Sequence, residues 1–258
     1  MTNESNFQAT GDLSLLRYFG RGTRLWSSQG RHEVGEDWWL ALSGEPSVNM
    51  NMACCWSEDP EVMIQQCLEP VLEARRPAII MLTGPGLANA STLTDAGWVN
   101  VGMTPMLAMR ARTREWNLDP SARRLHRDDL ESARQLMVEV FGMDPAIARV
   151  AMPDAVSDGD DMEAWGLFDG PELLSSAIIV WEDPVATMWS LAVRRDRQRG
   201  GLGRRLMESV LHRVDEMGAS GSVFTASGAG EQLYYSAGFQ LNAELQLWSR
   251  PRWMLGVG

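Results

Sequence analysis

Six arginines, Arg194, Arg195, Arg197, Arg199, Arg204 and Arg205, crowd one short stretch of a chain whose formal net charge is -11. Between them lie Gln198, Gly200, Gly201 and Gly203. A basic island on an acidic chain asks for an anion, and the guanidinium fork matches phosphate oxygens. The glycines point the same way. They open a run in which Leu202, Leu206, Val210, Val214 and Met217 recur at helical spacing, with Gly218 placed to close the helix. The first N–H groups of a helix have no partner within it, and the dipole is positive there. Gly201 and Gly203 carry no Cβ, so an anion can come close to the backbone. An apolar strand, Leu191-Ala192-Val193, leads into the turn. A solvated basic turn before an ordinary helix is the plainer reading; strand, glycines and helix in this order favour a phosphate site.

Composition removes several other chemistries. All 23 residues in the Lys-plus-Arg count are arginine. A P-loop needs its lysine at the phosphates, and pyridoxal phosphate needs one for its Schiff base, so both are excluded in their usual forms. The acidic balance argues against nucleic acid as a partner. Three cysteines, Cys54, Cys55 and Cys67, form no Cys-x-x-Cys pair and read as reduced core residues of a cytoplasmic protein. The histidines His32, His126 and His212 have no metal-ligand spacing, so no metal is expected. The start of the chain is polar and unlike a signal peptide, and no apolar run reaches membrane-span length.

The 258 residues read as two α/β domains. Residues 1–10 form a loose tail, 11–112 a first domain, 113–121 a linker and 122–258 a second domain. In the first, strands are expected at 36–42 and 47–56. A helix then starts at Asp59-Pro60, with aspartate as cap and proline in the first turn. Ala78 to Leu82 is a buried strand, a short helix runs from about Ala90 to Gly97, and residues 98–109 are extended with a break at Thr104-Pro105. In the second, a helix capped by Asp128 and another begun by Asp144-Pro145 precede a loop at 155–162. Strands at 163–168, 173–181 and 186–193 follow, then the main helix, a strand at 222–226, a short helix with Tyr234, and strands from 239 to 248. Thr94-Asp95-Ala96-Gly97-Trp98 stands where Tyr235-Ser236-Ala237-Gly238-Phe239 stands later, which suggests an internal duplication.

Gln198-Arg199-Gly200-Gly201-Leu202-Gly203 resembles the Gln/Arg-x-x-Gly-x-Gly/Ala motif of the GNAT superfamily of acyl-CoA N-acyltransferases. Leu191-Ala192-Val193 looks like that family's fourth strand, and Leu233-Tyr234-Tyr235-Ser236-Ala237-Gly238-Phe239 like its Leu-Tyr-x-x-x-Gly-Phe element. The resemblance covers about residues 120–250 and the first half more loosely. It implies two GNAT-like domains in tandem, each a mixed, mostly antiparallel twisted sheet flanked by helices, the N-terminal copy degenerate. It implies acetyl-CoA as co-substrate and acetyl transfer to an amine of a small molecule or peptide. Leu191, Ala192 and Val193 would face pantetheine, and Gln198 through Arg204 (with Arg199, Gly200, Gly201, Leu202 and Gly203 between them) would hold the pyrophosphate. Tyr234 matches the family's general acid, with Tyr235 as second choice, and Ser227 replaces its asparagine on CoA. The family's glutamate on the fourth strand has no counterpart in Ala186-Thr187-Met188-Trp189-Ser190, which leaves solvent, Glu163 or Asp183 as base. Trp189 is placed near the acceptor. Asp158, Asp160 and Asp161 either attract a cationic acceptor or form a solvated loop. The missing glutamate keeps a non-catalytic acyl-CoA-binding regulatory protein as the alternative. Neither nucleic acid nor membrane is implied as a partner; a homodimer is compatible with the sequence.

Overall fold

A computed structural model describes residues 7–228 and 230–254. Residues 1–6 of the expected tail lie outside the described residues. The chain opens with α1 (Leu15–Gly22), which buries Leu15, Leu16 and Phe19, and α2 (Arg24–Ser27). The Asp12 carboxylate organises the start of α1 by accepting from the N–H and the hydroxyl of Ser14. Strands β1 (Arg31–Val34), β2 (Trp38–Leu42) and β3 (Asn51–Cys55) pair antiparallel. The strand expected from residue 47 starts later, because the buried Asn51 amide donates to the carbonyls of Glu45, Ser47 and Pro77 and curls the approach into a turn.

Asp59 caps the next helix as its sequence predicts, accepting from the Glu61 N–H at 2.9 Å, with Pro60 in the first turn. That helix runs as α3 (Pro60–Val62), a wider π segment (Met63–Leu68) and α4 (Glu69–Ala74). Pro70, which has no N–H for the preceding turn, sits just past the widening. Met63, Cys67 and Val71 face the core. Then come β4 (Ile79–Leu82), parallel to β3, α5 (Ala90–Asp95) and β5 (Val99–Arg110). β5 runs unbroken through Thr104-Pro105, since proline forfeits only its N–H, and its carbonyl still accepts from the Ala226 N–H at 3.2 Å.

The second half carries β6 (Ala122–Arg124), α6 (Leu130–Phe141), α7 (Pro145–Ala151) and a single turn, α8 (Ala155–Asp158), where a loop was expected. The expected cap at Asp128 is replaced by a 3-10 turn, Arg127–Asp129, that leads into α6: His126 caps it, and the Asp129 carboxylate closes the capping box by accepting the His126 N–H at 2.8 Å and the Arg123 fork. Strands β7 (Met162–Asp169), β8 (Glu172–Glu182) and β9 (Val185–Val193) pair antiparallel. The amphipathic α9 (Leu202–Glu216) buries Leu206, Val210 and Val214 and ends at Gly218, whose φ of 80° is open to glycine at little cost. β10 (Gly221–Thr225), α10 (Glu231–Ala237), β11 (Gln240–Ser249) and α11 (Pro251–Met254) follow.

The chain folds into two compact units that interleave in sequence. One holds residues 10–107, 225–232 and 240–254, with the strand order β1-β2-β3-β4-β11-β5. The other holds residues 7–9, 108–224 and 233–239, with the order β10-β9-β8-β7-β6. This differs at β11 from a division into 11–112 and 122–258. β4 is buried along its length, so its second edge needs a ladder partner, and β11 supplies it antiparallel from Gln246↔Leu82 to Trp248↔Ile80. Both halves of the chain share one element order: three antiparallel strands, a helix, a parallel strand, a short helix, a strand.

In the first unit a 3-10 segment, Gly84–Asn89, lies against the end of β3. A Cβ on Gly86 would stand 2.3 Å from the Cys55 carbonyl oxygen and 2.8 Å from the Trp56 Cα, backbone atoms that cannot swing aside. Gly86→Ala is expected to cost about 1–3 kcal/mol in urea unfolding, the usual range for overpacking.

Candidate active site

The site begins where the sheet of the second unit opens. β9 and β10 are in register only from Gly221↔Val185 to Val223↔Thr187, while β9 continues to Val193. On its other edge, Ser176 faces Ala192 but Ile178 faces Trp189, so β9 carries an extra residue. Ser190 absorbs it with φ 54°, a bulge beside the opening. The bulge keeps Leu191 and Val193 on the face toward α9. A Cβ on Gly203 would lie 3.4 Å from Val193 Cγ2, 3.9 Å from Leu191 Cδ2 and 3.5 Å from Leu233 Cδ2. The first turn of α9 thus sits directly on the strand end, at a distance that favours glycine. Ala192 is fully buried, and its carbonyl accepts from Ser175 Oγ at 2.6 Å.

Gly201 is the residue before the helix, at φ 80° and ψ 0°, with open space around the position of a Cβ. The Arg205 N–H closes the first helical turn on the Gly201 carbonyl, which leaves the N–H groups of Leu202, Gly203 and Arg204 outside the helical ladder. Gly200 and Arg199 are exposed, and Arg199 is left-handed at φ 63°. The Gln198 amide does not point out at an anion. It donates to the Val193 carbonyl at 3.1 Å and so ties two expected cofactor contacts to each other.

The arginines are mostly paired. Arg194 forks onto Asp196 at 3.1 Å and also meets Glu172. Arg197 lies 3.8 Å from Asp196, and Arg204 bonds to Ser236 Oγ and lies 3.7 Å from Glu208. Arg205 forks onto Asp119 at 2.7 and 3.2 Å and holds that carboxyl below its usual range. Among the described residues, the guanidinium groups of Arg195 and Arg199 have no carboxylate partner. The Arg195 N–H donates to Glu139 on α6. The residues that sequence reasoning missed, Asp119, Glu139, Glu172 and Ser175, come from distant segments and share no motif with the turn.

Tyr234 is 9% exposed, with its ring 4.4 Å from Phe224 and 6.1 Å from Phe239. Burial pushes its phenol up to about 12. The hydroxyl is therefore protonated at neutral pH and a donor rather than a base. Tyr235 is 44% exposed on the next position of α10. The Ser227 carbonyl accepts from the N–H groups of Gly230 and Glu231 and so starts α10. Trp189 is half-buried and donates to Thr187 Oγ1 at 2.8 Å. Asp158 ends α8, and the Asp161 carbonyl accepts from the Trp181 N–H.

Glu163 is unsuited to be a base. It is 2% exposed and accepts from Arg213 at 2.7 Å and from Trp165 Nε1 at 2.8 Å, with Arg124 at 3.7 Å. Burial alone would raise its carboxyl, but these donors outweigh it and hold the group below its usual range. Asp183 precedes β9, about 25 Å of strand from Val193 at the ordinary rise per residue.

The corresponding place in the first unit is shut. β3 and β4 stay paired from Met52↔Ile79 to Cys55↔Leu82, the last residues of both strands. Asn89 Nδ2 donates to the Ser57 carbonyl at 2.8 Å across that end, and the Asp59 carboxylate occupies the helix N-terminus itself. An anion would meet a carboxylate there.

The second unit thus combines an opened parallel pair, a bulged central strand and a left-handed glycine at a helix start. Residues 122–239 match the acetyltransferase (GNAT) family model. A comparison with curated protein sequences gives no significant match. Solved structures share the fold. A GCN5-related N-acetyltransferase from Kribbella flavida superposes with a TM-score of 0.68 at 17% identity, covering 94% of this chain and 97% of that one. A GCN5-related N-acetyltransferase from Sphaerobacter thermophilus gives 0.59 at 12% identity, covering 86% and 83%. A GNAT-family acetyltransferase from Novosphingobium aromaticivorans gives 0.56 at 14%, covering 93% and 97%.

The Glu163 assignment has a pH signature. Its folded-state carboxyl is depressed, so its contribution is present above the unfolded value of about 4.3 and lost as pH falls through the lower folded value. Glu163→Gln is expected to cost about 2–3 kcal/mol at pH 7, less than a fully buried pair because Arg213 is partly exposed. In urea unfolding, the gap between parent and variant should narrow from pH 5 downward.

Proposed function

We propose that the chain is an N-acetyltransferase that moves an acetyl group from acetyl-CoA to the amine of a small molecule or peptide. One observation carries the reading: the gap between β9 and β10 beyond Thr187 and Val223 leads into the turn at Gly201. The gap offers strand backbone to the two amides of pantetheine, and the turn offers unladdered N–H groups to the pyrophosphate. Leu191 is the freer strand contact, since the Val193 carbonyl already serves Gln198. Leu202, Gly203 and Arg204 would supply the N–H groups, and Arg199 and Arg195 the unpaired charge.

In the reaction the neutral amine nitrogen attacks the thioester carbonyl, the N–C bond forms and the C–S bond breaks. The amine loses a proton to solvent, because β9 carries no acidic residue, and the departing thiolate takes one. Tyr234 is the donor in this reading: its phenol is held protonated by burial and lies on α10, whose Leu233 packs on Gly203. The first half of the chain would be a degenerate copy of the same fold, supported by the shared element order and by the shut end of β3. Its three buried free thiols fit a reducing compartment such as the cytoplasm. No helix among the described residues is long and apolar enough to cross a membrane. A second reading, a non-catalytic acyl-CoA-binding regulator, is favoured by the lack of any carboxylate on β9.

Three measurements decide. Calorimetric titration with coenzyme A should give one site per chain, and a Gly201→Glu, Gly203→Glu variant that stays folded by circular dichroism should lose it; two sites would mean the first unit binds as well. Tyr234→Phe should lower kcat about 10²–10⁴-fold with coenzyme A affinity unchanged. The parent's alkaline limb, where this phenol governs it, should lie well above pH 10. Coenzyme A binding without thiol release from acetyl-CoA across an amine panel would select the second reading.

A further inference from the structure

The segment between the last residues of β5 and β6, expected to be a bare linker, lies along the outer side of α9. It runs antiparallel to the helix and is bonded to it at each step. The Ala111 N–H donates to the Ser220 carbonyl at 2.9 Å, and the Arg112 N–H to Asp215 Oδ1 at 3.1 Å. The Trp116 carbonyl lies 3.0 Å from His212 Nδ1, and Arg114, stacked on the Trp116 ring at 4.0 Å, reaches Glu208 at 3.6 Å. At the far end Asp119 bonds twice. Its N–H donates to Ser209 Oγ at 3.0 Å, and its carboxylate takes both arms of the Arg205 fork. Ser209 is fully buried, and its hydroxyl donates to the Arg205 carbonyl at 2.9 Å. The Asp119 carboxylate also accepts from the Ser121 N–H, which fixes it from the other side.

Arg205 closes the first helical turn on Gly201. The side chain that Asp119 grips therefore belongs to the residue whose backbone sets the direction of the preceding free N–H groups. Helix ends fray unless something holds them, and this N-terminal turn starts from glycines, which hold no conformation of their own. We propose that residues 111–121 are a strap that keeps the anion-binding turn of α9 formed, with Asp119 as a positioning residue acting through Arg205. The proposal rests on the reading of that turn as the coenzyme A phosphate site. Asp119 touches no reactant in it; it sets affinity and leaves the chemistry alone.

The test uses the full chain, coenzyme A as titrant, and three variants. Asp119→Ala should raise the coenzyme A Kd about fivefold, the scale of one partly exposed ion pair, and the acetyl-CoA KM in step. At saturating acetyl-CoA, kcat should stay within about twofold of the parent, since no transition-state contact is lost. Amide exchange at 202–205 should quicken while exchange at 210–214 stays put. Asp119→Asn, which keeps the shape, covers the case in which alanine fails to fold and should show the same split more weakly. The charge-reversed pair Asp119→Arg, Arg205→Asp should recover most of the affinity. An unchanged Kd in a folded Asp119 variant, or a fall in kcat with Kd intact, would overturn the strap. If the Gly201→Glu, Gly203→Glu variant still binds coenzyme A, it is the phosphate-site reading that fails; if that variant loses binding and Asp119→Ala does not weaken it, the strap alone fails.

Discussion

A strand inside a sheet carries donors and acceptors along both edges, and each buried group left without a partner costs about 1–3 kcal/mol. β9 meets that constraint with β8 along one edge, but with β10 only as far as Thr187. From Met188 to Val193 the other edge has to be managed residue by residue. The bulge at Ser190 re-aims part of it. Gln198 reaches back to the Val193 carbonyl, while on the β8 edge Ser175 bonds the Ala192 carbonyl beside the bulge. Gly203 lets the following helix sit on the strand end. These residues look unrelated in sequence, yet each answers the same need: a strand left open on one edge for a chain that brings its own amides.

Charge plays a smaller part at the turn than the arginine count suggests. Asp196, Glu172, Glu208 and Asp119 stand against Arg194, Arg197, Arg204 and Arg205, so much of the local positive field is spent inside the protein. Exposed pairs of this kind contribute little to stability. Their effect is on geometry: they set the directions of the turn and of α9 and leave the backbone N–H groups, with Arg195 and Arg199, to meet an anion.

The parts written in local code were legible in the sequence. The Asp59 and Asp144 caps, the stripe of α9 and its stop at Gly218, and the strand before the glycine turn all rest on contacts within a few residues. What was not legible depends on long-range partners. α1 has a short apolar stripe whose organising carboxylate, Asp12, lies two residues ahead of Ser14, and β1 is a largely polar strand that exists because β2 pairs with it. The π segment before Pro70 and the passage of β5 through Pro105 are cases where tertiary packing overrides a breaker. At the site, Glu163 illustrates the limit. Its type and place near a strand start suggest a base, but only the fold reveals Arg213 and Arg124 around it.

The placing of β11 has a consequence for how the chain comes off the ribosome. Thr83 bonds to the Glu244 carbonyl across 161 residues, and Ser249 to the Ala78 carbonyl across 171. At a synthesis rate of about 5–20 residues per second, β4 waits on the order of 10–30 s for the strand that covers its edge. During that time a fully apolar strand stands with a bare ladder, the kind of edge that recruits other chains. Folding of the unit that holds β4 is thus completed only by a strand translated about 160 residues later, so loss of β11 would leave β4 bare on one edge.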